Sequence, residues 1–446
     1  MNPGYVSIII LVCTIVLYVT NKVPIAVTAM LSAAAMVVFR VIPAGRAWAA
    51  FSQDSVLIMA GVILIGSTLF SSGAASIVGD LLIKLAGGKP RLSIFMMFVA
   101  ASIMSMFLSN TSCVVIFLPL ILSVVIKARA NDKTMMEHKF MQPFAAIVSV
   151  AGLGTLIGSP VNIAASGFVQ AAGFPAFTFL QMLHISAILF VVTLLYVFTF
   201  GEWYGNKIFA NREHSDFVKT FIVEREAMEK QVEEQKSDPA AIKKANKIKI
   251  TITVIMFLTI AGLVTQGLHG VSLGTVAIIG GLLTVITGCI TVNDMYKKID
   301  WGTLMLLAGT IGCAVGLAES GGGRIIANFF IGLLGDAINP TSVFVVMCLV
   351  AAVITQFVSN TGTVAMLIPI GIAMTEQIGS NYLPVALGIL MTATLSFMTP
   401  MASPTTALVL NWGSYKFNDY IKYSGPLNVV LVVLVIILTP LFFPLV

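Results

Sequence analysis

Charged residues are scarce in this chain of 446 residues: Asp, Glu, Lys and Arg make up 10% of it, while hydrophobic residues make up 58%. Soluble globular domains carry about 25% charged residues, so the composition excludes a soluble protein. The long apolar runs also lack the strict alternation that is typical of a membrane β-barrel. The sequence therefore predicts an all-α polytopic membrane protein.

Other absences exclude whole classes of function. The five cysteines stand singly in apolar segments, which predicts neither disulfides nor a metal site. No ionisable residue lies well inside a predicted span, and His184, Glu319 and Glu376, near span ends, are expected at the surface. This pattern disfavours a proton relay and an intramembrane enzyme with a nucleophile and a base. The sequence also lacks the phosphate-binding loop of an ATP-driven pump, so the protein is predicted not to be an enzyme.

Ten apolar runs are long enough to cross a hydrocarbon core of about 30 Å as helices. They cover residues 5–21, 23–42, 55–72, 144–168, 180–200, 248–266, 272–291, 301–318, 383–410 and 425–444. Two more runs, 92–126 and 343–374, are too long for one crossing. They are also too short for two, which need about 40 residues and a turn. Each is predicted to form a re-entrant hairpin with a polar triplet at its tip.

The two polar triplets, Ser109-Asn110-Thr111 and Ser359-Asn360-Thr361, lie 250 residues apart. The segments that begin at Ser72 and Ser320 also align without a gap, at an offset of 248. This self-similarity predicts an internal duplication. We expect two repeats, each with five transmembrane helices and one hairpin, and an odd number of crossings makes the second repeat inverted relative to the first. The predicted units are a first repeat at 1–201, a charged linker at 202–247 and a second repeat at 248–446.

The basic residues predict the orientation in the plasma (inner) membrane, because Lys and Arg accumulate in cytoplasmic loops. If the linker is cytoplasmic and both hairpins return to their side of entry, all but three of the 25 basic residues lie inside. The exceptions are Arg40, Arg46 and Arg324. Both termini are then external. Within the linker, residues 215–237 combine apolar positions at helical spacing with a charged face, which predicts an amphipathic surface helix.

The predicted hairpin tips carry the first candidate site. A broken helix inside a bilayer exposes backbone amides and carbonyls that must be satisfied by protein or by a water-filled cavity. Ser, Asn and Thr side chains cap such amides and leave oxygens for a cation and donors for an anion. One such triplet is as easily explained as the cap of a kink, whereas two at equivalent positions of a repeat favour a binding role.

A second kind of break is predicted once per repeat, in TLIGSPVNIAA from Thr155 and FMTPMASPTTALV from Phe397. Proline removes an amide and opens the preceding turn, so we expect broken helices near 158–162 and 402–406. The carbonyls of Gly158 and Ala402, together with oxygens from the tips, would suit Na+ without any carboxylate. Taken alone, each site is better explained by an ordinary Pro kink, which is common in transmembrane helices.

These paired triplets and paired small-residue, Ser, Pro breaks resemble the divalent anion/sodium symporter (DASS) family, the dicarboxylate, citrate and sulfate carriers of the ion transporter superfamily. The resemblance implies the fold of the ion transporter superfamily and two Na+ sites. The first uses Ser105, Asn110 and the carbonyl of Gly158 beside Ser109, and the second uses Thr355, Asn360 and the carbonyl of Ala402 beside Ser359. It also implies that the substrate carboxylates lie among Asn110, Thr111, Ser159, Pro160, Asn360, Thr361, Ser403 and Pro404.

The function that the resemblance implies is uptake of a divalent anion coupled to Na+ influx, by a homodimer that works as an elevator. The expected substrate is a C4-dicarboxylate such as succinate, malate or fumarate. A Na+-independent dicarboxylate exchanger, or a sulfate or citrate carrier of the same fold, is the alternative. The family's usual Thr-Pro-Pro-Asn is Ser-Pro-Val-Asn at 159–162 and Ser-Pro-Thr-Thr at 403–406, which leaves the substrate open.

Overall fold

The computed structural model describes residues 2–20, 22–72, 85–129, 132–209, 239–334, 339–400 and 403–446. All regular elements in these ranges are helical. Those of the first half are α1 Pro3–Thr20, α2 Ile25–Val38, α3 Ala44–Trp48, α4 Asp54–Ser71, α5 Pro90–Ser105, α6 Asn110–Arg129, α7 Met141–Gly152, α8 Pro160–Ala171, α9 Leu183–Tyr196 and α10 Glu202–Phe209. Those of the second half are α11 Pro239–Val264, α12 Gln266–His269, α13 Leu273–Ile286, α14 Val292–Lys298, α15 Trp301–Glu319, α16 Gly322–Leu334, α17 Pro340–Ile354, α18 Asn360–Ile378, α19 Tyr382–Thr394, α20 Pro404–Trp412 and α21 Phe417–Phe442.

The two overlong apolar runs fold as helical hairpins. Helices α5 and α6 pack against each other, as do α17 and α18. The 16 residues of α5 extend about 24 Å, which is less than the thickness of a hydrocarbon core. Each hairpin is a few residues longer than predicted, at 90–129 and 340–378. The extra residues at the start of each hairpin arise because Pro90 and Pro340 begin the first helices, a position that suits a residue without an amide proton.

Both predicted broken helices are present, but each break begins earlier in the chain than predicted. Helix α7 ends at Gly152 and α8 begins at Pro160, while α19 ends at Thr394 and α20 begins at Pro404. The prolines therefore do not kink a continuous helix. They occupy the first turn of the second half-helix, where the missing amide proton costs nothing. The first break covers residues 153–159, and the described part of the second covers 395–400 and Ser403.

The predicted linker is not solvated over its whole length. Its first eight residues form α10, and its last residues belong to α11, which begins at Pro239. In α10, Phe209 is fully buried, and a methyl group on Gly205 would lie 2.8 Å from Cγ of Lys139. The start of the linker is therefore part of the packed body. The predicted amphipathic helix at 215–237 lies outside the described residues.

Four helices, α2, α4, α13 and α15, form two close pairs that we call the scaffold pairs. Helix α4 packs along α13, and α2 packs along α15. A methyl group on Gly61 would lie 2.2 Å from the Ala277 carbonyl oxygen, and one on Gly309 would lie 2.6 Å from the Ala29 carbonyl oxygen. Such close backbone approach requires glycine. Gly309 and Ala277 follow Gly61 and Ala29 by 248 residues, the offset at which the two predicted repeats align.

One face of the molecule, the terminal face, gathers both chain termini. Three hydrogen bonds define it. The Ser320 hydroxyl donates to the Ser7 hydroxyl at 2.7 Å, the side-chain amide of Gln377 donates to the Arg324 carbonyl at 3.0 Å, and the backbone N–H of Asn381 donates to the Leu445 carbonyl at 2.9 Å. Arg46 lies there too, since its Nε donates to Glu319 at 2.8 Å. His184, Glu319 and Glu376 are exposed as predicted.

The opposite face, the basic face, holds the open end of the first hairpin. Its ion pairs and hydrogen bonds join Arg91 to Glu202 at 2.7 Å, Arg129 to Glu137 at 3.1 Å and Lys139 to Asn206 at 2.9 Å. Helix α21 connects the two faces, because Tyr423 donates to the Lys139 carbonyl at 3.0 Å while the helix ends close to Leu445. Its 26 residues extend about 39 Å.

A charged turn is buried at the basic face. The sequence places Glu137, His138 and Lys139 in a cytoplasmic loop, but the structure buries all three side chains. The His138 ring packs against Phe209 with 5.2 Å between ring centroids, and burial lowers the pKa of the Lys139 ammonium. The loop thus serves as an anchor that holds the first hairpin to α10.

Candidate functional site

The polar triplets begin the second helix of each hairpin. Ser109 Oγ accepts a hydrogen bond from the Ser112 amide, and Ser359 Oγ accepts one from the Gly362 amide, both at 3.2 Å. Each serine is therefore an N-cap, and the following Asn is the first helical residue. The triplets are half-buried, so their polar groups are accessible from a space within the protein.

Three oxygens meet where α5 and α7 approach each other. Ser105 Oγ lies 2.6 Å from Asn110 Oδ1 and 2.9 Å from the Val148 carbonyl oxygen. A hydroxyl has one proton, so it can donate fully to only one of these two oxygens. The remaining contact is between oxygens with no proton between them. Such a cluster is suited to a hard cation.

The second half repeats this arrangement. Thr355 Oγ1 lies 3.0 Å from Asn360 Oδ1 and also donates to the Ala393 carbonyl. Ser105 and Thr355 each stand four residues before their triplets, and each connects its hairpin tip to the first half of the broken helix. The structure therefore brings together, in each half, the hydroxyl and the amide that the sequence proposed for a cation.

Gly158 packs into the first cluster. A methyl group on it would lie 2.3 Å from the Gly152 carbonyl oxygen and 2.9 Å from the Ser105 carbonyl oxygen. A methyl group on Gly152 would lie 2.2 Å from Asn110 Oδ1. Only glycine allows this close approach. The corresponding Ala402 of the second half lies outside the described residues.

Two threonines that the sequence did not single out as site residues hold the tips against the breaks. The Thr155 hydroxyl donates to the Met106 carbonyl, and the Thr399 hydroxyl donates to the Gln356 carbonyl. Both acceptors are in the turns between the hairpin helices. The available signal was the Thr three residues before the small residue of each break, in TLIGSP and TPMASP.

The C-terminal carbonyls of the first half-helices are also satisfied by side chains. Asn162 Nδ2 donates to the carbonyls of Gly152 and Thr155, both at 2.9 Å. In the second half, the Leu395 carbonyl accepts from Gln356 Nε2 at 3.0 Å and from Asn428. Asn162 is fully buried, and its Oδ1 has no hydrogen-bond partner within the described part of the chain.

Serines also cap the second half-helices. Ser159 Oγ accepts from the Val161 amide at 3.3 Å, and Ser403 Oγ accepts from the Thr406 amide at 3.3 Å. Both serines are buried, whereas Pro160 is half-buried and Pro404 exposed. The side chains predicted to line a substrate pocket are therefore not equally accessible, and the serine hydroxyls already serve as caps.

The halves interlock around these ends. Helix α6 of the first hairpin packs against α20, α18 of the second hairpin packs against α8, and α7 packs against α20. Ser149 Oγ lies 3.2 Å from Thr405 Oγ1, which joins α7 to α20. Four Ser-capped helix N-termini, those of α6, α8, α18 and α20, thus belong to one packed body.

The site has no ionisable side chain in its tips or breaks, so backbone ends and neutral side chains supply its electrostatics. Helix N-termini carry about half a positive charge, and C-termini about half a negative charge. The oxygen clusters lie at the C-termini of α5 and α7 and of α17 and α19. The arrangement can accept cations at the clusters and an anion at the capped N-termini.

Comparisons with known proteins identify the family. The model of the citrate transporter family (CitMHS) matches residues 15–341 and 337–445. An uncharacterized transporter of Haemophilus influenzae is 24% identical over 439 residues, 94% of this chain and 88% of that protein. The sodium-dependent dicarboxylate transporters SdcS of Staphylococcus saprophyticus and Staphylococcus aureus are 22% and 24% identical, over 96% of this chain and 84% of theirs.

Two solved membrane transporters share the fold. MtrF of Neisseria gonorrhoeae superimposes with a TM-score of 0.61 over 98% of this chain and 94% of its own, and YdaH of Alcanivorax borkumensis with 0.56 over 88% and 86%, each at 14% identity. At this identity the likeness concerns the fold alone. Seven of the described helices are also long and apolar enough to cross a membrane. The protein is therefore an integral, multi-pass, all-helical membrane transporter and not an enzyme, and it belongs to the citrate transporter family.

Proposed function

We propose that this protein couples Na+ influx to the uptake of a divalent anion, a C4-dicarboxylate such as succinate, malate or fumarate. The observation that carries the proposal is the duplicated site: each half places a hydroxyl, an Asn amide and a helix carbonyl within contact distance at a hairpin tip. Both clusters offer hard oxygens without a carboxylate, which suits a monovalent cation.

The helix ends support the assignment of charge. Two C-termini at each cluster sum to about −1, which matches one Na+, whereas four capped N-termini sum to about +2, which matches a dianion. In this scheme Asn110 and Asn360 face both ions, because their side-chain oxygens are in the clusters while their backbone amides begin α6 and α18. Thr111 and Thr361 lie in the same first turns. Bound Na+ would thus order the tips that bind the anion.

The coupling has an electrical consequence. Two Na+ neutralise the charge of a dianion. A third Na+ would make each cycle electrogenic, and the membrane potential would then add about 2.3 kcal/mol of driving free energy per 100 mV. The relatives support Na+ as the coupling ion, since SdcS is a sodium-dependent dicarboxylate transporter at 22% to 24% identity.

Inverted repeats provide the proposed route to alternating access. The two scaffold pairs support this arrangement. The contact between α4 and α13 corresponds to the contact between α15 and α2, because the residues that form the second contact lie 248 positions from those that form the first. Each glycine contact also makes its pair hard to deform. We infer that these helices stay fixed in the membrane while the hairpins and broken helices move as an elevator, in a homodimer.

The proposed orientation puts the terminal face outside and the basic face in the cytoplasm. Arg46 and Arg324, two of the three basic residues predicted to be external, lie at the terminal face, whereas Arg91, Arg129 and Lys139 lie at the basic face. This distribution supports the orientation, since cytoplasmic loops are enriched in basic residues. The hairpins would then open to opposite sides of the membrane.

Uptake of radiolabelled succinate into proteoliposomes tests the proposal. We expect uptake to require an inward Na+ gradient and to stop when K+ or choline replaces Na+. Asn110→Ala and Asn360→Ala should each abolish uptake without loss of folding, since each removes an oxygen from a cluster and a contact to the anion. Equal uptake in K+ would instead indicate a dicarboxylate exchanger, and full activity of both variants would refute the site.

Citrate is the second candidate substrate, because the family whose model matches is described as citrate transporters. A competition assay distinguishes the two candidate substrates. Unlabelled succinate, malate, fumarate, citrate or sulfate is added at about tenfold excess over the labelled anion, and the loss of labelled uptake is measured. Competition by the four-carbon dianions alone supports our proposal. Stronger competition by citrate would identify a tricarboxylate carrier.

A further inference from the structure

A cleft at the terminal face carries charged residues that the proposed site does not use. Its volume is about 170 Å³, and its walls come from α8, α15, α16 and α18. Arg324 and Glu376 lie in its lining, among small residues such as Ala318 and Ala373. The cleft is large enough for several water molecules and opens beside the chain termini.

A smaller cavity of about 10 Å³ lies next to the cleft. The two spaces share the walls formed by Ala314, Leu317 and Pro369. Together they follow α18 from Glu376, about 24 Å from Asn360 along the helix axis, to Ala365, about 7.5 Å from it. The two spaces therefore lie one after the other along α18, between the terminal face and the tip of the second hairpin.

A phenol marks the inner end of this path. Tyr18 is 7% exposed and lines the smaller cavity beside Thr310, and its hydroxyl lies near the Thr310 side chain without a hydrogen bond of normal geometry within the described ranges. Its ring lies against the second hairpin, since a methyl group on Gly362 would be 3.8 Å from Cδ2 of Tyr18. A buried hydroxyl without a well-formed hydrogen bond costs free energy. Tyr18 thus holds a hydrogen-bond donor ready beside the first turn of α18.

At the outer end, the Arg324 side chain is exposed. Within the described part of the chain its guanidinium makes no ion pair or hydrogen bond. Arg46 on the same face differs, because Glu319 neutralises it. Glu376 lines the cleft without pairing with Arg324. A free guanidinium binds a carboxylate through two parallel N–H donors.

We propose that this cleft is the external entry path of the substrate, and that Arg324 binds a carboxylate of the incoming dianion before Tyr18 receives it near the second tip. The inference rests on the proposed function and adds a recognition step to it. Glu376 keeps the net charge of the lining near zero, so the anion binds weakly and can dissociate. A transport path needs such weak binding, because the solute must also leave.

The first test measures KM and Vmax for Na+-driven succinate uptake in proteoliposomes. We expect Arg324→Gln to raise KM about tenfold with little change in Vmax, as loss of one charge-assisted contact implies. Arg324→Lys should recover part of the affinity. Glu376→Gln should lower KM, because it removes a like charge from the path. Arg46→Gln removes the same charge from the same face outside the cleft and should leave KM unchanged.

Two results would overturn the inference. An unchanged KM in Arg324→Gln excludes binding by that guanidinium, and an equal rise in Arg324→Gln and Arg46→Gln would indicate general surface charge. Either result leaves the proposed function intact if wild-type uptake still depends on Na+. If wild-type protein takes up no dianion in any gradient, the proposed function itself fails.

The second test reads access without relying on transport. The exposed Ala318 of the cleft is replaced by Cys, and right-side-out vesicles that contain the variant are treated with a membrane-impermeant anionic methanethiosulfonate. Labelling of the wild-type protein gives the background. We expect Ala318→Cys to be labelled and saturating succinate with Na+ to slow the labelling. Leu441→Cys, exposed on α21, should show no protection. Labelling of Ala318→Cys that is insensitive to succinate would exclude the cleft as its path.

Discussion

The two helix breaks create the same kind of oxygen cluster from different residues. The first is built on three glycines, whereas the second has side chains at the equivalent positions. The pairs are Gly152 and Ser396, Gly154 and Met398, and Gly158 and Ala402. In the first break a methyl group at position 152 or 158 would lie within 2.3 Å of a neighbouring oxygen. The first hairpin tip therefore approaches its break more closely than a side chain would allow.

The capping of the breaks differs as well. One residue, Asn162, serves two carbonyls of the first break, while Gln356 and Asn428 share the Leu395 carbonyl of the second. The equivalent of Asn162 is Thr406, whose side chain bonds only to Ser403 among the described residues. The hydroxyl clusters at the tips, the Thr bonds to the tips, the Ser caps and the prolines are common to both. From this comparison we expect the shared elements to carry the function, while the remaining residues fit each tip to its break.

The strongest test of this difference is a methyl group at the third glycine. We expect Gly158→Ala to abolish Na+-dependent uptake, because its Cβ would meet two carbonyl oxygens at 2.3 Å and 2.9 Å. Ala402→Gly in the second half should retain uptake. Gly154→Ala is a graded control, since its nearest contact is the flexible end of Met106 at 2.9 Å. Normal uptake by Gly158→Ala would show that the first tip does not need this close approach.

The next largest effect concerns the capping amide. We expect Asn162→Leu to lower the free energy of unfolding by about 1–3 kcal/mol for each of the two carbonyls left without a donor. Thr406→Val should have a smaller effect, because its hydroxyl bonds only within one turn. Thermal melting in detergent measures both variants. Equal melting temperatures of the two variants would mean that water replaces the Asn162 amide. The carbonyls of the two breaks would then be capped to the same degree.

The shared threonines should respond equally. Thr155→Val and Thr399→Val each remove one hydroxyl bond to a hairpin tip, worth about 1 kcal/mol. We therefore expect each to raise the Na+ concentration for half-maximal uptake about fivefold. Thr193→Val is the matched control, since that buried hydroxyl bonds to the Leu189 carbonyl of its own helix. A shift in only one half would restrict the role of the threonine to that half.

The smallest expected difference lies in the serine caps. We predict that Ser159→Ala and Ser403→Ala each cost about 0.5–2 kcal/mol of stability, with the larger loss at Ser403. Ser403 has a reciprocal capping box with Thr406, whereas Ser159 accepts a single bond at 3.3 Å. Chemical denaturation followed by tryptophan fluorescence measures the difference. A larger loss at Ser159 would contradict this ranking.

Much of the helical architecture followed from the sequence, because apolar length and polar interruptions are local properties. The hairpins at 92–126 and 343–374 and the ten other spans correspond to described helices. The helix breaks were displaced, since proline was interpreted as a kink and not as the first residue of a new helix. The close approach of Gly152 to Asn110 had no signal in a single sequence, because glycine is common in membrane helices.

The cation and anion sites remain predictions, although each half brings its hydroxyl and Asn together. Sequence alone determined that neutral polar triplets interrupt apolar runs twice at matching positions, because a bilayer makes such interruptions costly. Only the tertiary structure decided which carbonyls lie against them, since Val148 and Ala393 are apolar residues whose side chains carry no polar signal. It also decided that Tyr18 and Arg324 line neighbouring spaces, because those spaces form only where helices from both halves pack together.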